Sequence, residues 1–112
     1  MANKNGFFKL ELLILSILKN EDCYGYEITS KIKKITNNTI IIKDGTLYPI
    51  LMKLLERNYV TSYDQIIGKK IRVYYHLEPL GKEKLEEMIH DFTSTVNYIY
   101  DVIYYEETEN KE

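Results

Sequence analysis

The sequence is short of the residues on which enzymes and secreted proteins most depend. Its one cysteine, Cys23, excludes an internal disulfide framework and any multi-cysteine metal site. Its two histidines, His76 and His90, fall on an expected strand and an expected long helix, and neither is expected to hold a metal or to act in catalysis. No glycine-rich phosphate loop and no nucleophile elbow is present, so the expectation is no enzyme, no metal and no cofactor. No apolar run is long enough to cross a membrane, and the longest block, residues 12–18, is interrupted by Ser16. Lys4 and Lys9 ahead of that block imitate the start of a secretion signal. Glu11 borders the block, however, Lys19-Asn20-Glu21-Asp22 follows it, and no small-residue cleavage site appears; a cytoplasmic protein is expected. Tryptophan is absent altogether.

What is present is an ordinary globular mixture, 45% hydrophobic and 29% charged in 112 residues, enough for one domain or one domain with an extension. A core this small favours oligomerisation as a way to bury more surface. The net charge of −2 conceals a division: residues 1–82 carry 13 Lys/Arg against 8 Asp/Glu, leaving +5, and residues 83–112 carry 2 against 9, leaving −7. A basic body with an acidic end keeps a polyanionic partner in play.

Periodicity supplies the elements. Residues 8–19 read as a helix that is apolar nearly all round, suited to the centre of a core or an interface. Residues 24–35 read as a second helix with Ile28, Ile32 and Ile35 on one face and Lys31, Lys33 and Lys34 outward. Asn37-Asn38 makes a turn, and the β-branched residues 39–42 read as a short strand. A third helix follows Asp44-Gly45, with Leu47, Leu51, Leu54 and Leu55 on one side and Pro49 expected in its first turn. Asn58 can take the left-handed conformation that ends it. Residues 59–77 change to period two: Val73, Tyr75 and Leu77 share one face, Arg72, Tyr74 and His76 the other, with a partner strand in residues 59–66 and Gly68-Lys69-Lys70 as the turn. Pro79 opens a long last helix reaching about residue 105. Three helices, a basic-tipped hairpin and a long helix form the order of a winged helix-turn-helix.

Three motifs in that frame carry a family likeness. Tyr24-Gly25-Tyr26-Glu27-Ile28 opens the second helix, Gly45-Thr46-Leu47-Tyr48-Pro49 the third, and Arg72-Val73-Tyr74-Tyr75-His76-Leu77 forms the last strand, with Gly81 four residues on. In this order and spacing the chain resembles the PadR family of bacterial transcriptional regulators over about residues 10–105. The resemblance implies a dimeric winged helix that binds double-stranded DNA, represses transcription and often loses DNA affinity when a small molecule binds. The length, with a single C-terminal helix, resembles the family's shorter subgroup. Two positions depart from the family pattern. Asn58 replaces a helix-ending glycine, and Glu78-Pro79 replaces a threonine cap, which leaves the start of the last helix less firmly fixed.

The residues then take candidate roles. On the third helix Thr46, Pro49, Met52 and Lys53 face outward; Thr46 offers a hydroxyl at a helix start, and Lys53 is either a backbone or base-edge contact or a solvated lysine. Tyr48 either bonds a phosphate or rests on the second helix. Of Tyr24 and Tyr26, one is expected against the third helix and the other at a phosphate. Lys69, Lys70 and Arg72 suit a wing lying along the minor groove or backbone. In the last helix Leu85, Ile89, Phe92, Val96, Ile99 and Ile103 repeat at alternating steps of four and three, a heptad seam joined by Met88 and Val102. With Leu10, Leu13 and Ile14 of the first helix, this seam is the expected homodimer interface, each tail packing on the partner's first helix. The resemblance places Phe92 where multidrug-responsive members hold a tryptophan. Either a small, flat, apolar inducer stacks there beside Met88, Leu10, Leu13 and Ile14, or Phe92 only fills the dimer core.

The expected organisation is thus a winged-helix DNA-binding domain at 1–78, a dimerisation helix at 79–105 and an acidic disordered tail at 106–112. The fold class is mainly α with a small β-hairpin wing. A rival from another class is a dimeric winged-helix module that docks on a protein and binds no operator. A third is a ligand-binding dimer whose DNA role is vestigial. The basic hairpin tip favours the DNA-binding reading.

Overall fold

The helix that is apolar nearly all round becomes the centre of the core. The structure is a computed structural model that describes residues 9–108, so residues 1–8, including Lys4 and the first part of the expected domain at 1–78, and residues 109–112 of the expected acidic tail lie outside it. Helix α1 runs Leu10–Leu18, and Ile14 and Leu15 have no exposed surface. Ser16 is accommodated because its hydroxyl donates to the Leu12 carbonyl at 2.7 Å, one turn back. Helix α2, Gly25–Ile35, packs on α1 through Ile28 and Ile32, and α3, Asp44–Glu56, packs on α2 and contributes Leu47, Leu51 and Leu54 to the core.

Asparagines end both of these helices. After α2, Asn37 and Asn38 take φ of 55° and 67°, and the Asn38 N–H donates to the Lys33 carbonyl at 2.8 Å. After α3, Asn58 takes φ 62°, its N–H donates to Leu55, and the Tyr59 N–H donates to Leu54 at 3.0 Å. This six-to-one and five-to-two pair of bonds is the Schellman motif, which satisfies the last carbonyls of a helix.

Three expectations need correction here. Ile35 is 72% exposed, because α2 ends there and the chain turns away from the core. Residues 39–42 are not a strand: no neighbour offers a ladder, the Ile40 N–H donates instead to the Thr36 hydroxyl at 3.0 Å, and only Ile42 is buried. Pro49 lies in the second turn of α3, since the helix already begins at Asp44. Its missing N–H leaves the Gly45 carbonyl without a helical donor. Gly45 is exposed, so water can serve that carbonyl.

The third place in the sheet goes to β1, Cys23–Tyr24, between α1 and α2. The hairpin strands are β2, Val60–Ile67, and β3, Lys70–Leu77, and the antiparallel order is β1-β3-β2. Cys23 pairs with Tyr75 and Tyr24 with Tyr74. The hairpin turn is the two residues Gly68-Lys69, because Lys70 already pairs with Ile67; Gly68 at φ 63° supplies the positive φ that a tight primed turn needs at its first position. Only the base of the hairpin joins the core, through Val60 and Tyr75, and the remaining seven residues of β2 are exposed.

Helix α4, Pro79–Ile103, begins with Pro79 at its first position. The missing threonine cap is replaced by bonds to the base of the wing: the Glu78 N–H donates to the Tyr59 carbonyl at 3.0 Å, and the Thr61 hydroxyl donates to the Glu78 carboxylate at 2.7 Å. Gly81 is buried against the same backbone, where a Cβ would run into the Tyr59 carbonyl and stand 2.7 Å from Leu77 Cδ1. No helix among the described residues is long and apolar enough to cross a membrane. Because the obstacle at Gly81 includes backbone, Gly81→Ala should lever α4 away from the wing base. The expected cost is about 2 kcal/mol, read as a fall in thermal midpoint of roughly 10 °C.

Candidate nucleic-acid interface

The motifs that open α2, open α3 and form β3 converge on one cleft. It has a volume of about 270 Å³ and is lined by Tyr24, Gly25 and Tyr26 from the start of α2, Tyr48 from α3, and Arg72, Val73 and Tyr75 from β3. Gly25 is what lets α3 come so close: a Cβ there would run into the Tyr48 hydroxyl and stand 3.0 Å from its Cζ. Tyr48 therefore rests on the start of α2 while remaining 46% exposed, so the two readings of its role are compatible.

Tyr24 and Tyr26 divide differently from expectation. The Tyr24 ring packs on the wing, not on α3, edge-on to Tyr74 at 5.5 Å and beneath the Arg72 guanidinium, which stands 4.3 Å from its centroid. Tyr26 is 71% exposed. Stacking on the aromatic face holds the Arg72 cation at the cleft, with its planar fork oriented. Burial, with Tyr48 nearby, holds the Tyr75 phenol above its usual pKa. The start of α2 is already capped, the Tyr24 N–H donating to the Glu27 carboxylate at 3.2 Å, so the positive end of that helix is taken up by its own acid. An anionic oxygen suits the part of the cleft beside Arg72.

Around the cleft, Thr46, Pro49, Met52 and Lys53 are exposed along α3, and Lys69 and Lys70 are exposed at the hairpin tip. Lys43, which immediately precedes α3, is also exposed. Its place beside Asp44-Gly45 is the one signal in the sequence that marks it. Lys31 leaves the solvated face assigned to it, pairing with Glu21 and approaching Cys23 Sγ at 3.4 Å. Lys33 and Lys34 are exposed.

The expected dimer residues separate into two groups. Ile14 and Leu85 are fully covered within the single chain, which corrects their assignment to the interface and, for Ile14, to an effector pocket: neither has surface left to offer. Leu10, Leu13, Met88 and Phe92 are half-buried against the core where α1 meets α4. Val96 is half-buried, and Ile89, Ile99, Val102 and Ile103 are exposed along α4.

One polar cluster fixes the wing's angle, and sequence spacing gave no sign of it. Asp22, just ahead of β1, accepts from the Tyr63 hydroxyl at 2.7 Å and meets His76 Nδ1 at 2.8 Å, so one carboxylate holds both hairpin strands. The Asp22 hydrogen bond is the chief reason that the His76 pKa is raised. Partial burial alone would raise the Asp22 pKa, but the bonds from Tyr63 and His76 outweigh it and lower the carboxyl. Asp22 in turn pushes the Tyr63 phenol up to about 12. Among the described residues no group of three or more His, Cys, Asp or Glu could hold a metal ion.

Comparison with known proteins agrees with this geometry. The sequence model of the transcriptional regulator PadR-like family matches residues 14–87. The structure of smu.1704 from Streptococcus mutans UA159 superposes with a TM-score of 0.79 at 31% identity, covering 98% of this chain and 100% of that one. A transcriptional regulator from Clostridium thermocellum gives 0.77 at 32% identity, over 82% and 90% of the two chains. The negative transcriptional regulator PadR of Bacillus subtilis is 31% identical over 71% of this chain, which spans 44% of that protein's length.

The Asp22 cluster makes stability depend on pH in a definite direction. A raised His76 contributes fully below its ordinary 6.5 and loses that contribution as pH rises through its higher folded value. A lowered Asp22 contributes above its ordinary 3.8 and loses that contribution as pH falls through its lower folded value. The gap in urea midpoint between wild type and Asp22→Asn should therefore be widest between pH 3.8 and 6.5. It should narrow on both sides, keeping a residue at high pH from the Tyr63 bond.

Proposed function

The chain belongs to the PadR-like family of transcriptional regulators, whose members are regulators and not enzymes, and we propose that it is a ligand-responsive repressor that binds a roughly palindromic operator as a homodimer. The observation that carries this reading is the shared cleft, in which α3, the start of α2 and the wing bring phenols and the Arg72 cation together. In this reading residues 1–78 bind DNA, residues 79–105 dimerise and the acidic residues 106–112 stay clear of the duplex. Thr46, Pro49 and Lys53 meet base edges in the major groove, Tyr24, Tyr26 and Tyr48 meet phosphates, and Lys69, Lys70 and Arg72 carry the wing contacts.

Dimerisation is supported by the second half of α4. Ile99 and Ile103 remain 37% and 60% exposed at heptad spacing, with no element among the described residues covering them. Pairing the two α4 helices would set two α3 helices in successive major grooves about 34 Å apart. The half-buried Leu10, Leu13, Met88 and Phe92 lie beside that seam and supply the apolar, aromatic lining that a flat inducer would need. Sedimentation should give a dimer at micromolar concentration for the wild type, and a monomer or aggregate without DNA binding for Ile89→Asp or Val96→Asp; a monomeric wild type overturns the assembly.

The DNA contacts are tested by salt. A dimer neutralising about six phosphates should lose affinity with a log–log slope of about −5. Replacing Lys69 and Lys70 together by Ala should weaken binding to all sequences alike and flatten that slope by about 2 to 4 units, each loss counting twice in the dimer. Changing Thr46 or Lys53 should instead alter which sequences are preferred. An unchanged slope in the double variant would take the wing off the DNA and move the protein-docking module into first place.

A further inference from the structure

The wing exposes apolar surface on the side that carries the cleft. Strand alternation places Val60, Ser62, Asp64 and Ile66 of β2 on one face with their partners Leu77, Tyr75, Val73 and Ile71 of β3. Val60 and Tyr75 at the base are buried core, and Tyr75 and Val73 line the cleft beside Tyr48. Ile66 and Ile71 continue that face to the tip, about 13 Å beyond Tyr75 along the strand. They are directly opposite each other and are 72% and 67% exposed.

We propose that this aliphatic pair is a wedge: Ile66 and Ile71 enter the DNA minor groove and part a flexible base step, reading sequence at a position that α3 does not reach. The inference rests on the DNA-binding reading above. Charge selects the occupant. Residues 65–73 hold Lys69, Lys70 and Arg72 and no acidic residue, so the hairpin tip that carries the apolar pair is cationic, with Lys69 in the turn just beyond the pair and Lys70 on the opposite face. A minor groove has the complementary layout, phosphate walls on either side of a floor of sugars and stacked bases, and apolar side chains inserted there unstack a step and bend the duplex. Asp64, one pair inward on the same face, repels phosphates from the strand's flank, which leaves the tip as the engaging part. Specificity follows from deformability, because pyrimidine–purine steps such as TA unstack more readily than GC-rich ones.

The test uses duplexes that the full-length wild-type protein selects from a random-sequence pool, and the variant Ile66→Thr with Ile71→Thr, which keeps β-branched residues on the strands. The wild type should enrich TA or CA steps outside the sites protected by α3. It should bend circularly permuted fragments and lose about tenfold in affinity when those steps become GG. The Thr variant should show a flat mobility profile and no preference between the two flanks, with an unchanged salt slope, since no cation is altered. A variant that still bends DNA and still prefers TA overturns the wedge, as does a wild type that binds its selected duplexes without bending them. If the pool yields no enriched sequence and the Lys69/Lys70 slope is also unchanged, the DNA-binding reading itself has failed. A changed Lys69/Lys70 slope with an inert Ile pair removes only the wedge.

Discussion

The two-residue ladder in which Cys23 and Tyr24 pair with Tyr75 and Tyr74 joins the wing to the body, and the geometry of the cleft follows from it. The pairing sets β3 beside the first turn of α2, which puts the Tyr24 ring within reach of Arg72 and the Asp22 carboxylate within reach of Tyr63 and His76. Gly25 follows directly after the ladder, and its missing side chain admits Tyr48. Three elements far apart in sequence are thereby referred to one short stretch of backbone. Such an arrangement is stiff where a phosphate would be held and free at the hairpin tip, where β2 has no buried residue beyond Val60.

A similar economy governs α4. One heptad pattern runs from Leu85 to Ile103, but its two ends do different work. Leu85 is sealed in the core against α1, and Gly81 brings the helix onto the Tyr59 backbone, so the first half is fixed by its own chain. Beyond Phe92 no residue of the helix is fully buried. The spacing of apolar residues is the same throughout because a helix has one period, whichever partner covers it.

That is also why the sequence discloses some features and hides others. Punctuation was legible: Asn58, Gly68 and Pro79 stop, turn and start the chain through their own backbone preferences, which need no knowledge of neighbours. The core face of α3 was legible because periodicity survives burial, and the central place of α1 because it is apolar nearly all round. Pairing was not. Residues 39–42 have strand-forming side chains but no partner, while Cys23-Tyr24 is too short to show a strand pattern and is made a strand by β3. Ile14 and Leu85 looked like interface because neither a helix apolar nearly all round nor a heptad says which chain will cover it. At the cleft, the three motifs named most of the lining residues, whereas the Asp22 cluster joins positions 22, 63 and 76 and leaves no spacing to read.

The C-terminal half of α4 carries a further constraint. The helix has no side-chain cap bond from Glu78 at its start, no basic residue in its last turn to oppose the dipole, and Asp101 in the region where negative charge is unfavourable. Its exposed Tyr98, Ile99, Val102 and Ile103 contribute nothing to the chain's own core. A helix of this kind gains most of its stability from burying an apolar face, with intrinsic propensity a minor addition. In the dimeric reading, then, folding of the last three turns and pairing of two chains are a single event. Any molecule that enters between Phe92 and the seam would act on both, and through the α1–α4 contact on the body that carries α3.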